Sequence, residues 1–143
     1  MVVYERIYRK LLELGVIDLI NNRAENAKSE SEGFMDLSFD LIEIKDHAVT
    51  ISLAHNFIQN GDVMADPDMM IDVYRATEMA EALTFQQDST GTFQRVHSID
   101  GKTVNLYLKT SLNRFLETWM KNAVAQGHKF EVPVKEPDWS LTA

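Results

Sequence analysis

The sequence predicts an α+β fold, an antiparallel meander sheet of about five strands flanked by an N-terminal and a C-terminal helix. Apolar residues recur at three- and four-residue spacing near each end of the chain, while between those stretches the period switches to two in one run after another. Strands grouped between helices, rather than alternating with them, argue against a parallel α/β sheet.

The opening helix is read from Tyr4, Ile7, Tyr8, Leu11 and Leu14, which share one stripe, with Glu5, Arg6, Arg9, Lys10 and Glu13 off it. Gly15 suits a left-handed helix stop, and Val16, Ile17, Leu19 and Ile20 form a short second turn. From Asn21 to Gly33 the chain is polar and has no apolar period, so residues 22–32 are expected to be a flexible connector. Met35, Leu37, Phe39 and Leu41 alternate with polar residues as a half-buried strand does. A turn at Lys45, Asp46 and His47 leads to a second strand through Val49, Ile51 and Leu53. After an Asp-rich segment read as a loop, Met69, Ile71 and Val73 make a third strand. Two more follow at residues 82–87 and 92–96, joined by the turn Asp88-Ser89-Thr90-Gly91.

The second helix is expected to start at Thr110 or Ser111 and to run through Leu112, Phe115, Leu116, Trp119, Met120 and Ala123, with Gly127 as its stop. Residues 128–143 read as an extended tail, in which Phe130, Val132 and Val134 alternate, Pro133 and Pro137 limit pairing, and Trp139 anchors the end. Residues 1–143 fit a single domain whose core contains Met35, Leu37, Phe39, Ile51, Leu53, Phe115 and Trp119.

The chain has no cysteine, which excludes disulfides, thiolate metal sites and thiol catalysis. Its net charge of −8 disfavours direct binding to nucleic acid. No apolar run reaches the length of a membrane span, and the amino terminus lacks the pattern of a secretory signal, so no membrane contact and a cytoplasmic location are expected. Nucleophile elbows, phosphate-cradling glycine loops and metalloprotease helices are missing as well. No cofactor is called for.

Chemistry concentrates in the segment His55 to Asp88, where seven acids (Asp62, Asp66, Asp68, Asp72, Glu78, Glu81, Asp88) accompany one base, Arg75. Asp62, Asp66 and Asp68, with His55, are candidate oxygen and nitrogen ligands for a divalent cation, although their spacing fits no EF-hand. The same aspartates also serve turns: Asn60-Gly61-Asp62 and Asp66-Pro67-Asp68 place carboxylates where backbone N–H groups need acceptors. His47 reads as a turn residue, His97 as a surface residue, and His128 as a cation beside a helix C-terminus. Met64, Met69, Met70 and Met79 serve as core filling or as a pliable partner surface.

The runs QNGDVMADPDMMIDVY, ALTFQQDSTGTFQRV and LNRFLETWMKNAVAQGHKFEVPV resemble a family of small bacterial domains of unknown function, found on phages, plasmids and conjugative elements. The likeness extends over Ala48 to Val134; a second bacterial family of unknown function is distantly similar around NRFLETWM and Gly127. It implies a bacterial, cytoplasmic, mobile-element setting and transfers no catalytic residue. The leading functional expectation is a non-enzymatic, protein-binding or regulatory domain that meets its partner through Asn60, Asp62, Met64, Asp66 and Asp68 and the adjoining sheet surface. A metal-binding domain or metal-dependent enzyme at Asp62, Asp66, Asp68 and His55 is the alternative, and an acidic mimic of nucleic acid is a third. Partner identity and oligomeric state are not encoded in any motif of the chain.

Overall fold

A computed structural model describes residues 1–132. Pro133, Val134, Pro137 and Trp139 of the expected tail lie outside the described residues. Helix α1, Val3–Glu13, buries Ile7, Tyr8 and Leu11 along the stripe that its spacing predicts. Gly15 ends it at φ +85°, and a Cβ there would come within 2.3 Å of the Phe130 carbonyl oxygen. Glycine is therefore required twice, for the left-handed turn and for the close passage of the chain after the last helix. The short helix α2, Val16–Asn21, then buries Val16, Ile17, Leu19 and Ile20.

The polar connector is not without structure. Its residues Asn26–Ser29 form strand β1, paired antiparallel with β2, Asp36–Ile44. An edge strand is held by backbone hydrogen bonds to one neighbour and needs few apolar side chains, which is why hydropathy does not reveal it. Strand β2 buries Leu37 and Phe39, but Met35 precedes it and is 45% exposed, so it is not a core residue.

Strands β3, Val49–Gln59, and β4, Asp62–Tyr74, form one long hairpin. Asn60 and Gly61 are its two-residue tip, both at positive φ as such turns demand. The Asp-rich segment is thus strand, not loop: Asp62 pairs with Gln59 and Asp68 with Ala54. The expected fourth strand, residues 82–87, is β6, Thr84–Gln87, and a further strand that the sequence did not reveal, β5, Met79–Ala82, precedes it. Between them the Leu83 N–H reaches the Met70 carbonyl at 2.8 Å. A single 3-10 turn, Asp88–Thr90, leads to β7, Thr92–Arg95. All pairings are antiparallel, in the order β1-β2-β3-β4-β6-β7 with β5 also on β4, so the meander is present with seven strands.

Helix α3, Leu106–Ala125, begins before Thr110, because Asn105 caps it by accepting the Leu108 N–H at 2.9 Å. Leu106 and Tyr107 in its first turn are exposed and so lie off the buried stripe that marks the rest. Leu112, Leu116, Trp119, Met120 and Ala123 are buried; Phe115, expected among them, is 41% exposed and meets Phe85 edge-on at 5.3 Å at the margin of the core. The core joins these side chains to Ile7, Leu11, Leu37, Phe39, Val49, Ile51, Leu53, Met69, Ile71 and Val73. Because side chains alternate along a strand, the helices cover one face of the sheet and the residues between these positions form the other. Among the described residues no helix is long and apolar enough to cross a membrane.

Candidate functional site

The face of the sheet turned away from the helices carries, row by row, Ser38–Ala54–Asp68–Gln86, Asp40–Ser52–Met70 and Glu43–Thr50–Asp72–Glu81. Each of these side chains is set by the same alternation that points Phe39, Ile51 and Ile71 into the core. The face is polar; five of these eleven side chains are acidic, and Lys28 of β1 extends the first row beside Ser38. Thr50 Oγ1 and Lys45 Nζ, at 2.5 and 3.2 Å, hold the buried Asp72 carboxylate. Ser52 Oγ donates to Asp68 at 2.7 Å, and the Tyr74 hydroxyl donates to Glu81 at 2.6 Å. Lys109 approaches Glu81 at 3.5 Å, and Lys28 lies 3.7 Å from Asp36. Among the described residues Asp40, Glu43 and Asp68 have no cation within 4.0 Å.

Burial raises the Asp68 carboxyl above its ordinary range, and the charges of Asp40 and Asp88 push the same way, against the Ser52 hydrogen bond. Burial and then the hydrogen bond to Glu81 push the Tyr74 hydroxyl up. Asp88 goes down, since its carboxylate accepts the Ala65 N–H at 2.8 Å and the Gln86 amide at 2.8 Å. Asp88 thereby ties the 3-10 turn to the base of the β3–β4 arm.

Beyond Asp88 that arm continues as a two-stranded ribbon. Ile58 and Val63 oppose each other across it, 76% and 73% exposed, and Ile58 lies on the same side of β3 as Ala54 and Ser52. The acidic centre and an apolar tip therefore share one face.

Of the residues singled out by sequence, Asn60 is at the exposed tip, Met64 is half-buried opposite Phe57, and the Asp66 carboxylate accepts from Ser89 Oγ at 2.6 Å. The proposed ligand set does not assemble. Gln59 and Ala54, the partners of Asp62 and Asp68, are an odd number of residues apart on β3, so the two carboxylates leave opposite faces. His55 is buried on the helix side, its ring 5.4 Å from that of Trp119. Among the described residues no group of three such side chains is placed to hold a metal ion.

Asp40, Glu43, Ile58 and Val63 escaped sequence reasoning, although the alternation that reveals Leu37 and Phe39 also marks their neighbours as the second face. His128 follows the C-terminus of α3, as its sequence position implies, but is buried, 3% exposed, with Nδ1 2.9 Å from Ser29 Oγ. At the far end of the sheet a cleft of about 640 Å3 is lined by Lys45, His47 and Arg75, but Lys45 is engaged by Asp72 and Arg75 by Asn21 at 2.9 Å.

A family model described as a domain of unknown function, DUF6908, matches residues 6–129. The chain belongs to the DUF6908 family. The DUF6908 match takes in α1 from Arg6 onward, α3, all seven strands and His128, so most of α1 and all of β1 lie within the family domain. No curated protein and no solved structure matches the chain.

Proposed function

We propose that this DUF6908 domain works by binding another protein, one that brings a basic surface to the open face of the sheet. The observation that supports it best is the continuity of that face: Asp40, Glu43 and Asp68 have no cation within 4.0 Å among the described residues, and Ile58 and Val63 stand exposed further along the arm. Carboxylates of one sign steer and orient a basic partner, while a β-branched pair supplies apolar area that water covers poorly. The arrangement favours binding over catalysis, since Asp68 and Asp72 are held by hydroxyls and a lysine rather than aimed at a shared reactive point. The bacterial, cytoplasmic, mobile-element setting belongs to the same reading and rests on the resemblance of the runs quoted above.

The test compares capture of partners by the wild-type domain, by an Asp40→Asn, Glu43→Gln, Asp68→Asn triple variant, and by an Ile58→Thr, Val63→Thr double variant. Both variants should lose a protein that the wild type retains, and that protein should dissociate as salt is raised. Exposed substitutions of this kind change stability by no more than about 0.5 kcal/mol, so folding is not at stake in the Ile58 and Val63 pair. If both variants retain the same partner as the wild type, the open face is not the binding surface.

A further inference from the structure

We propose that His55 and His128 form an acid-sensitive latch, which holds β1 and the first residues after α3 together at neutral pH and releases them when the pair is protonated. The two rings lie on different parts of the chain, with centroids 5.8 Å apart, and are 7% and 3% exposed. His55 comes from β3, under Trp119 of α3. Its Nδ1 is 3.2 Å from the Asp36 carbonyl oxygen, which can only accept, so that nitrogen carries the hydrogen. His128 Nδ1 meets Ser29 Oγ of β1, and the same hydroxyl oxygen accepts the Lys129 N–H at 3.0 Å. One serine thus joins the edge strand to the segment following the helix.

His128 Nε2 and Trp119 Nε1 are buried and have no hydrogen-bond partner among the described residues. A second proton on the His128 ring would place a positive charge beside a buried Nε2 that has no acceptor among the described residues, and next to a second imidazole. No carboxylate among the described residues bonds either ring to offset that charge. The charged groups on the surrounding elements are turned elsewhere: Lys28 and Asp36 are paired, Glu117 of α3 holds Arg6, and Asp66 of β4 accepts from Ser89. Glu30, Lys129 and Glu131 are exposed. Protonation therefore requires that the rings reach water, and the way out is through the seam between Ser29 and residues 128–129. That seam is the weakly built side of the pair, because β1 is a four-residue edge strand with one ladder, whereas His55 lies inside the longest hairpin of the sheet. Burial lowers the basicity of His55, against the hydrogen bond to the Asp36 carbonyl.

Hydrogen exchange across the ordinary histidine range tests the latch on the intact chain. After correction for intrinsic rates, protection of the Lys129 amide and of the β1 amides should fall about tenfold or more between roughly pH 7.5 and 5, while Leu53 and Ile71 stay protected. His128→Phe and His55→Phe keep the aromatic volume and remove the titration, so each should flatten the pH dependence; His128→Gln does the same should the phenylalanine distort the seam. Unchanged protection in the wild type would overturn the latch. So would an equal fall in all three variants, or simultaneous loss at Leu53 and Ile71.

Discussion

The side-chain oxygen of Asn113 accepts the backbone N–H of Ala82 at 2.8 Å, between α3 and β5. Asn113 is 1% exposed, and its amide nitrogen donates to the Lys109 carbonyl at 2.8 Å, one turn back along α3. A polar residue on the buried stripe of a helix thus closes a ladder position that no strand fills. Asn113→Leu would leave the Ala82 N–H buried and unpaired, a change expected to destabilise the fold by about 1–3 kcal/mol. Urea unfolding reads this as a lowered midpoint with the slope unchanged; an unaltered midpoint would mean that water reaches Ala82.

Two aromatic residues one helical turn apart on α3 should behave differently. Trp119 is 6% exposed and packs on His55, so Trp119→Ala should lower stability by about 3–5 kcal/mol. Phe115, 41% exposed, has only part of its ring covered, and Phe115→Ala should lower it by about 1–2 kcal/mol. Equal losses in a denaturant titration would contradict the observed placement of the helix.

Gly15 and Gly33 provide an internally controlled pair. Their φ angles are +85° and +84°, so alanine meets the same backbone penalty of about 1–2 kcal/mol at either position. A Cβ at Gly33 meets nothing within 4 Å, whereas one at Gly15 would meet the Phe130 carbonyl oxygen at 2.3 Å. Gly15→Ala should therefore destabilise by about 3–5 kcal/mol, as strain and overpacking add, and should loosen the Phe130 N–H to Leu14 carbonyl bond, 2.7 Å long. Thermal melts of the two variants that coincide would show that the chain after α3 yields freely.

Asp68 sets stability against binding. Its carboxyl is raised in the folded state, chiefly by burial, so the folded chain holds that proton more tightly than the unfolded chain does. Its contribution favours the fold below the ordinary aspartate range and is lost as pH rises through the folded value. Asp68→Asn still accepts the Ser52 hydroxyl and carries no charge. It should raise the urea midpoint at pH 7, with the gain vanishing as pH falls below the ordinary aspartate range, while partner capture weakens at neutral pH. A midpoint at pH 7 below that of the wild type would show that the charged form is stabilised by something other than Ser52.

What the sequence determined by itself is each segment's local period. Ile7, Leu11, Leu37, Phe39, Ile51, Leu53, Leu116 and Trp119 were legible as core because one face of a helix or strand must be apolar to leave water, and that demand is written at fixed spacing. Turns were legible where conformation restricts residue type, as at Gly15 and Asn60-Gly61.

Only the tertiary structure decided how those faces are covered. β1 is held by backbone groups that every residue carries, so Asn26–Ser29 left no apolar trace. Met35 and Phe115 fit their stripes yet fall at margins, where no neighbour completes the shell. The aspartates at positions 62 and 68 are an even number of residues apart, yet the register shift between them in the β3–β4 ladder turns them to opposite faces, whereas His55 and His128 are far apart in sequence and meet through the packing of α3 on the sheet. Proximity along a chain is a property of the sequence, but proximity across a sheet follows from register, and register is set by every paired strand at once.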